Sequence, residues 1–346
     1  MSKVHVVVVM GGPSAEHEVS LRSGREVLLH LDQSRYSIGA VVIDNQKKMY
    51  YREVAKTVPP LESFTNPGES SGWKGPYGAG AAEKIWKDCD VAFLALHGSF
   101  GEDGIFQGYL DTLGVPYTGS GVYASAVAMN KIASKYIYLQ NGITVPPYSI
   151  YNRSHPVLSA EVISKTHGLP CFIKCPQSGS SRLLGRADSL EQLRALLKEL
   201  SLSSEELLIE TAIVGTEFSC GILEKHDGTL LALPPVEIRP VSSSFFDYNA
   251  KYAEGGSLEI VPAPFPEELL GRIKSIAMRV HLLLNCRGVS RTDMIVRDDT
   301  VYVLETNTLP GLTSASLLPK AFAAQGGTYA ELLDILIRTA GKQKQV

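Results

Sequence analysis

Short continuous apolar runs recur along the first 120 residues: VHVVVV at 4–9, YSIGAVVID at 36–44 and DVAFLALHG at 90–98. Runs with almost no polar alternation belong to strands buried on both faces, and the last reads as a central parallel strand. A Gly-rich turn and a helical stretch from about Ser14 to Leu31 separate the first two runs. The pattern predicts an open α/β domain over 1–121 whose ligands lie at the carboxyl ends of its strands. MGGPSAEHE (10–18) and HGSFGEDG (97–104) occupy such ends. A Pro-, Gly- and Ser-rich stretch at 57–80 is too long for a mere connector and reads as a mobile loop. After the two helices of PYTGSGVYASAVAMNKIASKYIYLQNGI (116–143) come PCFIKC, QSGSS, a helix near 188–200 and the strands ELLIETAI and GTEFSCGILE. These predict a small α+β domain over 122–214. Strands, a hairpin and helices near 266–284 and 316–340 fill a third unit, 215–346.

The hairpin, RTDMIVRDDTVYVLETNTLPG at 291–311, carries Arg291, Asp293, Glu305 and Asn307 on strand-like segments flanking RDDT. Side chains alternate faces with period two. A three-residue turn, Asp298 to Thr300, sets Asp293 opposite Glu305 with Arg291 and Asn307 on the same face. A two-residue turn sends the two carboxylates to opposite faces. In the first case the face offers hard oxygen ligands that suit Mg²⁺ carried by phosphates. In the second it is an ordinary solvated edge.

Composition narrows the classes. The chain has 346 residues, 44% apolar and 20% charged, with a formal net charge of −3. That is enough for two to three domains, and the absence of a basic block argues against nucleic acid. No apolar run approaches the ~18 residues of a membrane span. KVHVVVVMGG lacks a cleavage site and reads as a strand rather than a signal peptide. The five scattered cysteines, with C-x₃-C spacing in CFIKC, do not read as a zinc site, so a reducing cytoplasm is expected.

Several further residues carry chemistry. Lys174 ends an apolar strand, so its ammonium needs an anion or a depressed pKa, whereas Lys131, on a helix, could simply reach solvent. The Gly/Ser loop QSGSS offers N–H groups to phosphate oxygens. Glu210 and Glu217 flank TAIVG between two lobes. Glu16 and His97 stand beside glycines at strand ends. FFDYNAKYAEGGS (245–257) would serve as a lid that brings Lys251 and Tyr252 over substrate.

In order along the chain, GGPSAEHEVSLRSG, LHGSFGEDG, PYTGSG, MNKIASK, GTEFS, FDYNAKY, RTDM and LETNTLPGLTSASL resemble the D-alanine–D-alanine ligases of the ATP-grasp superfamily. The likeness runs from about residue 5 to 335 and implies the three-domain ATP-grasp architecture. It further implies a cytoplasmic enzyme that joins two D-alanines, through D-alanyl phosphate, for peptidoglycan precursors and so for cell-wall shape. The cofactors implied are ATP as co-substrate and two Mg²⁺ ions, Mn²⁺ being an alternative, and the assembly implied is a homodimer. By position, Lys131, Lys174 and Lys251 belong to the nucleotide side, with Glu210, Ala212, Ile213 and Glu217 at adenine and ribose. Asp293, Glu305 and Asn307 hold the metals, with Glu305 bridging. Arg291 and the Gly311 N–H stabilise the oxyanion. Glu16 and His97 position the first D-alanine, and Ser316 and Leu317 the second. Ser180, Tyr252 and Glu16 form a triad that joins the lid, the phosphate loop and the first domain. One departure stands out: relatives read GSSVG where this chain reads GSSRLLG, with Arg182 and Leu183 in the phosphate loop. A D-alanine–D-lactate ligase is the alternative within the superfamily. A dinucleotide-dependent oxidoreductase would need G-x-G-x-x-G where GGPSAEHE stands, and an inactive nucleotide-binding regulator would not need Lys174, Arg291, Asp293, Glu305 and Asn307 all intact.

Overall fold

The computed structural model describes residues 3–340 except 56, 156–157, 180–182 and 242–255. In the first body, β1 (Val4–Gly11), α1 (His17–His30), β2 (Tyr36–Ile43) and β3 (Met49–Val54) are followed by α2 (Leu61–Thr65), β4 (Lys74–Tyr77), α3 (Glu83–Trp86), β5 (Val91–Leu94) and α4 (Ile105–Thr112). The sheet order is β4-β3-β2-β1-β5. Strands β2, β1 and β5 run parallel, while β3 and β4 extend the sheet antiparallel. Val6, Val8 and Met10 enter one core and Val7 and Val9 the other, which is why the first run is apolar without alternation. Two expectations need correction. DVAFLALHG forms the edge rather than the centre of the sheet: β1 pairs with β5 on one side, and on the other, among the described residues, stands an isolated bridge from Ala92 to Tyr117. The 57–80 stretch is no bare loop, because it folds into α2 and β4, and Phe64 and Trp73 pack edge to face.

Next come α5 (Val122–Met129), α6 (Lys131–Gln140), β6 (Tyr148–Asn152), α7 (Ala160–His167), β7 (Cys171–Lys174), β8 (Leu184–Ala187), α8 (Leu190–Leu200) and β9 (Glu206–Thr211). The four strands form one antiparallel sheet, β6-β9-β7-β8. The last body contains β10 (Thr216–Glu224), β11 (Leu230–Ala232), β12 (Val236–Pro240), β13 (Ser257–Ile260), α9 (Glu267–Leu283), β14 (Val289–Arg297), β15 (Thr300–Asn307), α10 (Leu317–Ala324) and α11 (Tyr329–Ala340). Its sheet runs β13-β12-β10-β14-β15, with β11 paired to β10. The cores do not divide at 122 and 214. Ala124, Ala128 and Tyr138 of α5 and α6 share a core with Phe218, Ile273 and Met294, beneath the six-stranded sheet. Leu332 and Leu336 of α11 pack in the same core as Val6 and Val8. Among the described residues no helix is long and apolar enough to cross a membrane.

Candidate active site

The hairpin turn resolves the open question in an unforeseen way. Arg297 pairs with Thr300, so the turn has two residues, Asp298 and Asp299, both left-handed at φ 47° and 61°. This is the geometry that matches the right-handed twist of the flanking strands. The turn alone would send Asp293 and Glu305 to opposite faces. A register shift follows Met294–Val303, however, and beyond it Asp293 pairs with Glu305 and Arg291 with Asn307. The extra residue, Leu304, is a β-bulge that restores the shared face.

On that face Arg291 donates from Nε to Asp293 Oδ1 at 3.0 Å and from Nη2 to Oδ2 at 2.9 Å. Ser219 Oγ donates to Oδ1 at 2.7 Å and Asn307 Nδ2 to Oδ2 at 3.2 Å. Asp293 is buried, so each of these charge-assisted bonds offsets the cost of removing its carboxylate from water. Glu305 lies 3.1 Å from Lys131 Nζ, which also donates to the Ser178 carbonyl at 2.9 Å. Lys131 is aimed inward because Asn130 caps α6, its side chain accepting from the N–H groups of Ile132 and Ala133. It does not snorkel to solvent. Asp293, Glu305 and Asn307 supply two carboxylates and a carboxamide oxygen. That donor set fits Mg²⁺ completed by phosphate oxygens better than a closed protein cage. Among the described residues no group of three or more His, Cys, Asp or Glu forms such a cage.

Across the cleft, antiparallel pairing of β7 with β9 brings Lys174 near Glu210. Glu210 is buried between two lysines, with Oε2 2.5 Å from Lys174 Nζ and Oε1 2.6 Å from Lys135 Nζ. Burial alone would raise the Glu210 carboxyl, but the charges of Lys135 and Lys174 overcome it and hold the carboxyl at about 2. Burial lowers Lys135. The Lys174 ammonium sits above its ordinary value because Glu210 outweighs burial. Lys135 was not singled out in the sequence, although KIASK sets it one helical turn beyond Lys131. A cleft of about 100 Å³ is lined by Lys174, Glu210, Ile213 and Glu217 together with Asp293 and Glu305. Ala212 lies beside Ile213 in the β9–β10 turn.

A larger cavity of about 700 Å³ opens between the first body and the hairpin, lined by Glu16, His97, Arg291, Gly311, Ser316 and Leu317 among others. Ser14 Oγ donates to the His97 carbonyl at 2.6 Å and accepts the Glu16 N–H at 3.1 Å, tying the two glycine-rich turns together. His97 Nε2 lies 3.0 Å from Ser23 Oγ. Burial holds the imidazole below its ordinary value, against the pull of Glu16 and the Leu309 carbonyl. Gly98 is required by space, since it has φ +71° and an added Cβ would fall 2.6 Å from Glu16 Oε2. Gly311 is similarly confined, its missing Cβ 2.8 Å from Ser316 Oγ. Sequence reading also passed over Glu102, which accepts the Gly98 N–H at 2.8 Å, and the Lys320–Glu259 ion pair at 2.6 Å on the cavity wall. Ser180, Lys251 and Tyr252, with Arg182 of the altered loop, lie outside the described residues.

Comparison with known proteins divides the chain in two. Residues 5–120 match the family model described as D-ala D-ala ligase N-terminus, and residues 137–338 the model described as D-ala D-ala ligase C-terminus. A D-alanine–D-alanine ligase of Syntrophobacter fumaroxidans is 39% identical, over 98% of each chain. The Bacillus anthracis D-alanine–D-alanine ligase complexed with ATP superposes with TM-score 0.78 at 30% identity, over 99% of each chain. The VanG D-Ala:D-Ser ligase of Enterococcus faecalis gives TM-score 0.83 at 27% identity, over 97% of this chain and 99% of that one.

Proposed function

The chain belongs to the D-alanine–D-alanine ligase family, and from that premise we propose how its residues join two D-alanines at the expense of ATP. The products are D-alanyl-D-alanine for peptidoglycan, ADP and phosphate. The carboxylate of the first D-alanine takes the γ-phosphoryl group, and the amine of the second attacks the acyl carbon and expels phosphate. Lys131 and Lys174 hold the phosphates, exchanging their present partners Glu305 and Glu210 for phosphate oxygens. Ala212, Ile213, Glu210 and Glu217 receive adenine and ribose. Asp293, Glu305 and Asn307 would hold Mg²⁺, which when bound neutralises charge on the transferring phosphoryl group.

Arg291 and the Gly311 N–H donate to the oxyanion that forms at the acyl carbon. Glu16 meets the ammonium of the first D-alanine and His97 positions it. Ser316 and Leu317 hold the second. Ser180, Tyr252 and Lys251 complete the proposal as lid and phosphate-loop groups. The enzyme acts in the cytoplasm as a homodimer. The observation that carries this reading is the convergence of Lys131, Lys174, Asp293 and Glu305 on one cleft that adjoins the cavity of Glu16 and Arg291. The test is phosphate release from ATP with product analysis, D-alanine and D-lactate supplied together. Release that requires D-alanine, needs no nicotinamide and yields mainly the dipeptide is expected. Mainly D-alanyl-D-lactate at pH 7 would move the assignment to the sister activity.

A further inference from the structure

Two lysines from different elements hold Glu210, and they stand differently to the nucleotide cleft. Lys174 of β7 lines the cleft, 15% exposed, with Nζ 2.5 Å from Glu210 Oε2. Lys135 of α6 is 0% exposed, with Nζ 2.6 Å from Oε1. KIASK sets Lys131 and Lys135 one helical turn apart, so α6 offers one ammonium to the cleft and buries the next. Lys135 is fixed from two further sides. Its Nζ donates to the Leu304 carbonyl of the bulge at 3.5 Å and lies 6.0 Å from the centre of the Tyr148 ring, within cation–π range. A side chain so enclosed does not leave for a ligand, whereas Lys174 stands where a ligand can reach it.

We propose that Lys135 is a positioning residue that frees Lys174 for the nucleotide, keeping Glu210 paired when Lys174 transfers to phosphate oxygens. The inference rests on the reading that Lys174 holds phosphate in the ATP complex. Glu210 is 2% exposed, and a carboxylate so buried is strongly destabilised once no cation faces it. Lys131 raises no such need, because its partner Glu305 is 24% exposed and water can solvate it. The charges within the cluster favour the exchange. Burial presses the Lys135 ammonium below its ordinary value and the Lys174 charge adds to that, while Glu210 opposes both. Departure of Lys174 removes a like charge, so the Lys135–Glu210 pair strengthens as phosphate takes Lys174 over.

The experiment is calorimetric titration of the full chain with a non-hydrolysable ATP analogue and Mg²⁺, and separately with adenosine, which carries no phosphate. In Lys135→Met the exchange would strand Glu210, so Kd for the analogue should rise at least about 30-fold while Kd for adenosine changes less than about threefold. In a Glu210→Gln background no carboxylate remains to be stranded, so adding Lys135→Met should change Kd for the analogue less than about threefold. Equal weakening of adenosine and analogue would show a distorted cleft and overturn the proposal. A larger loss in the Glu210→Gln background would overturn it too, and that comparison suffices should Lys135→Met alone fail to fold. An analogue that binds the unaltered chain no tighter than adenosine would instead overturn the reading of Lys174 as a phosphate ligand, and the proposal with it.

Discussion

Replacing Glu210 by glutamine removes one charge and little volume from the most buried ionic cluster among the described residues. The variant leaves Lys135, which is 0% exposed, and Lys174 facing a neutral amide. Two independent arguments give the magnitude. The carboxyl lies at about 2 against an ordinary 4.5, a difference worth about 3 kcal/mol at roughly 1.4 kcal/mol per unit. Removing one partner of a buried pair costs about 3–5 kcal/mol in general, because the remaining charge is left uncompensated. We therefore expect thermal unfolding, followed by far-UV circular dichroism at pH 7.5, to shift down by about 5–10 °C. The pH dependence carries the mechanism. A carboxyl held below its ordinary value stabilises the fold above about pH 4.5, and that contribution is lost as pH falls toward about 2. The gap between wild type and Glu210→Gln should therefore narrow from pH 5 downward. Above neutrality the variant should recover instead, because Lys135, already lowered by burial, loses its main counter-charge and sheds its proton. Glu205→Gln, whose pair with Arg153 is exposed, should shift unfolding far less. A Glu210→Gln shift no larger than the Glu205→Gln one, or a gap that does not change with pH, would refute the reasoning.

Three further outcomes follow from the hairpin and the glycine turn. Glu305→Gln should lose far more activity at saturating Mg²⁺ than Asn307→Asp, because a bridging role needs the carboxylate; equal losses in steady-state assays would argue against bridging. Deleting Leu304 removes the bulge but leaves Glu305 directly opposite Asp293 in a regular ladder, so D-alanine-dependent phosphate release should fall less than about tenfold while far-UV dichroism holds. A loss of about 100-fold or more would mean that the bulge does more than set the shared face. Gly98→Ala forces a Cβ toward Glu16, so KM for D-alanine should rise about tenfold or more while KM for ATP changes little; parallel rises in both would show a general distortion.

Continuity of apolar runs was enough to read β1, β2 and β5 as strands. It could not tell a central strand from an edge one, because β5 is covered by packing of α4 and α11 rather than by a second full strand. The hairpin shows the limit most clearly. RDDT left the turn length open; the structure makes it two residues, and the face that Glu305 takes depends on a one-residue bulge at Leu304 that nothing in the local composition marks. The site residues that sequence reading gathered were those the family resemblance matches by position. Lys135 and Ser219 lie within the same motifs, but each acts on a residue of another element that only tertiary packing brings within reach, and Glu102 folds back on Gly98 within its own turn. The helices of 122–140 were assigned to the central unit by chain order, whereas their apolar faces belong to the core of the six-stranded sheet.

ATP activates the carboxylate of one D-alanine before the amine of a second attacks. The most direct measurement supplies D-alanine labelled with ¹⁸O in its carboxylate and follows the label by mass spectrometry. An acyl phosphate route breaks a carbon–oxygen bond, so one labelled oxygen should appear in inorganic phosphate for each dipeptide formed. Dipeptide formed with no label in the phosphate would contradict the claim.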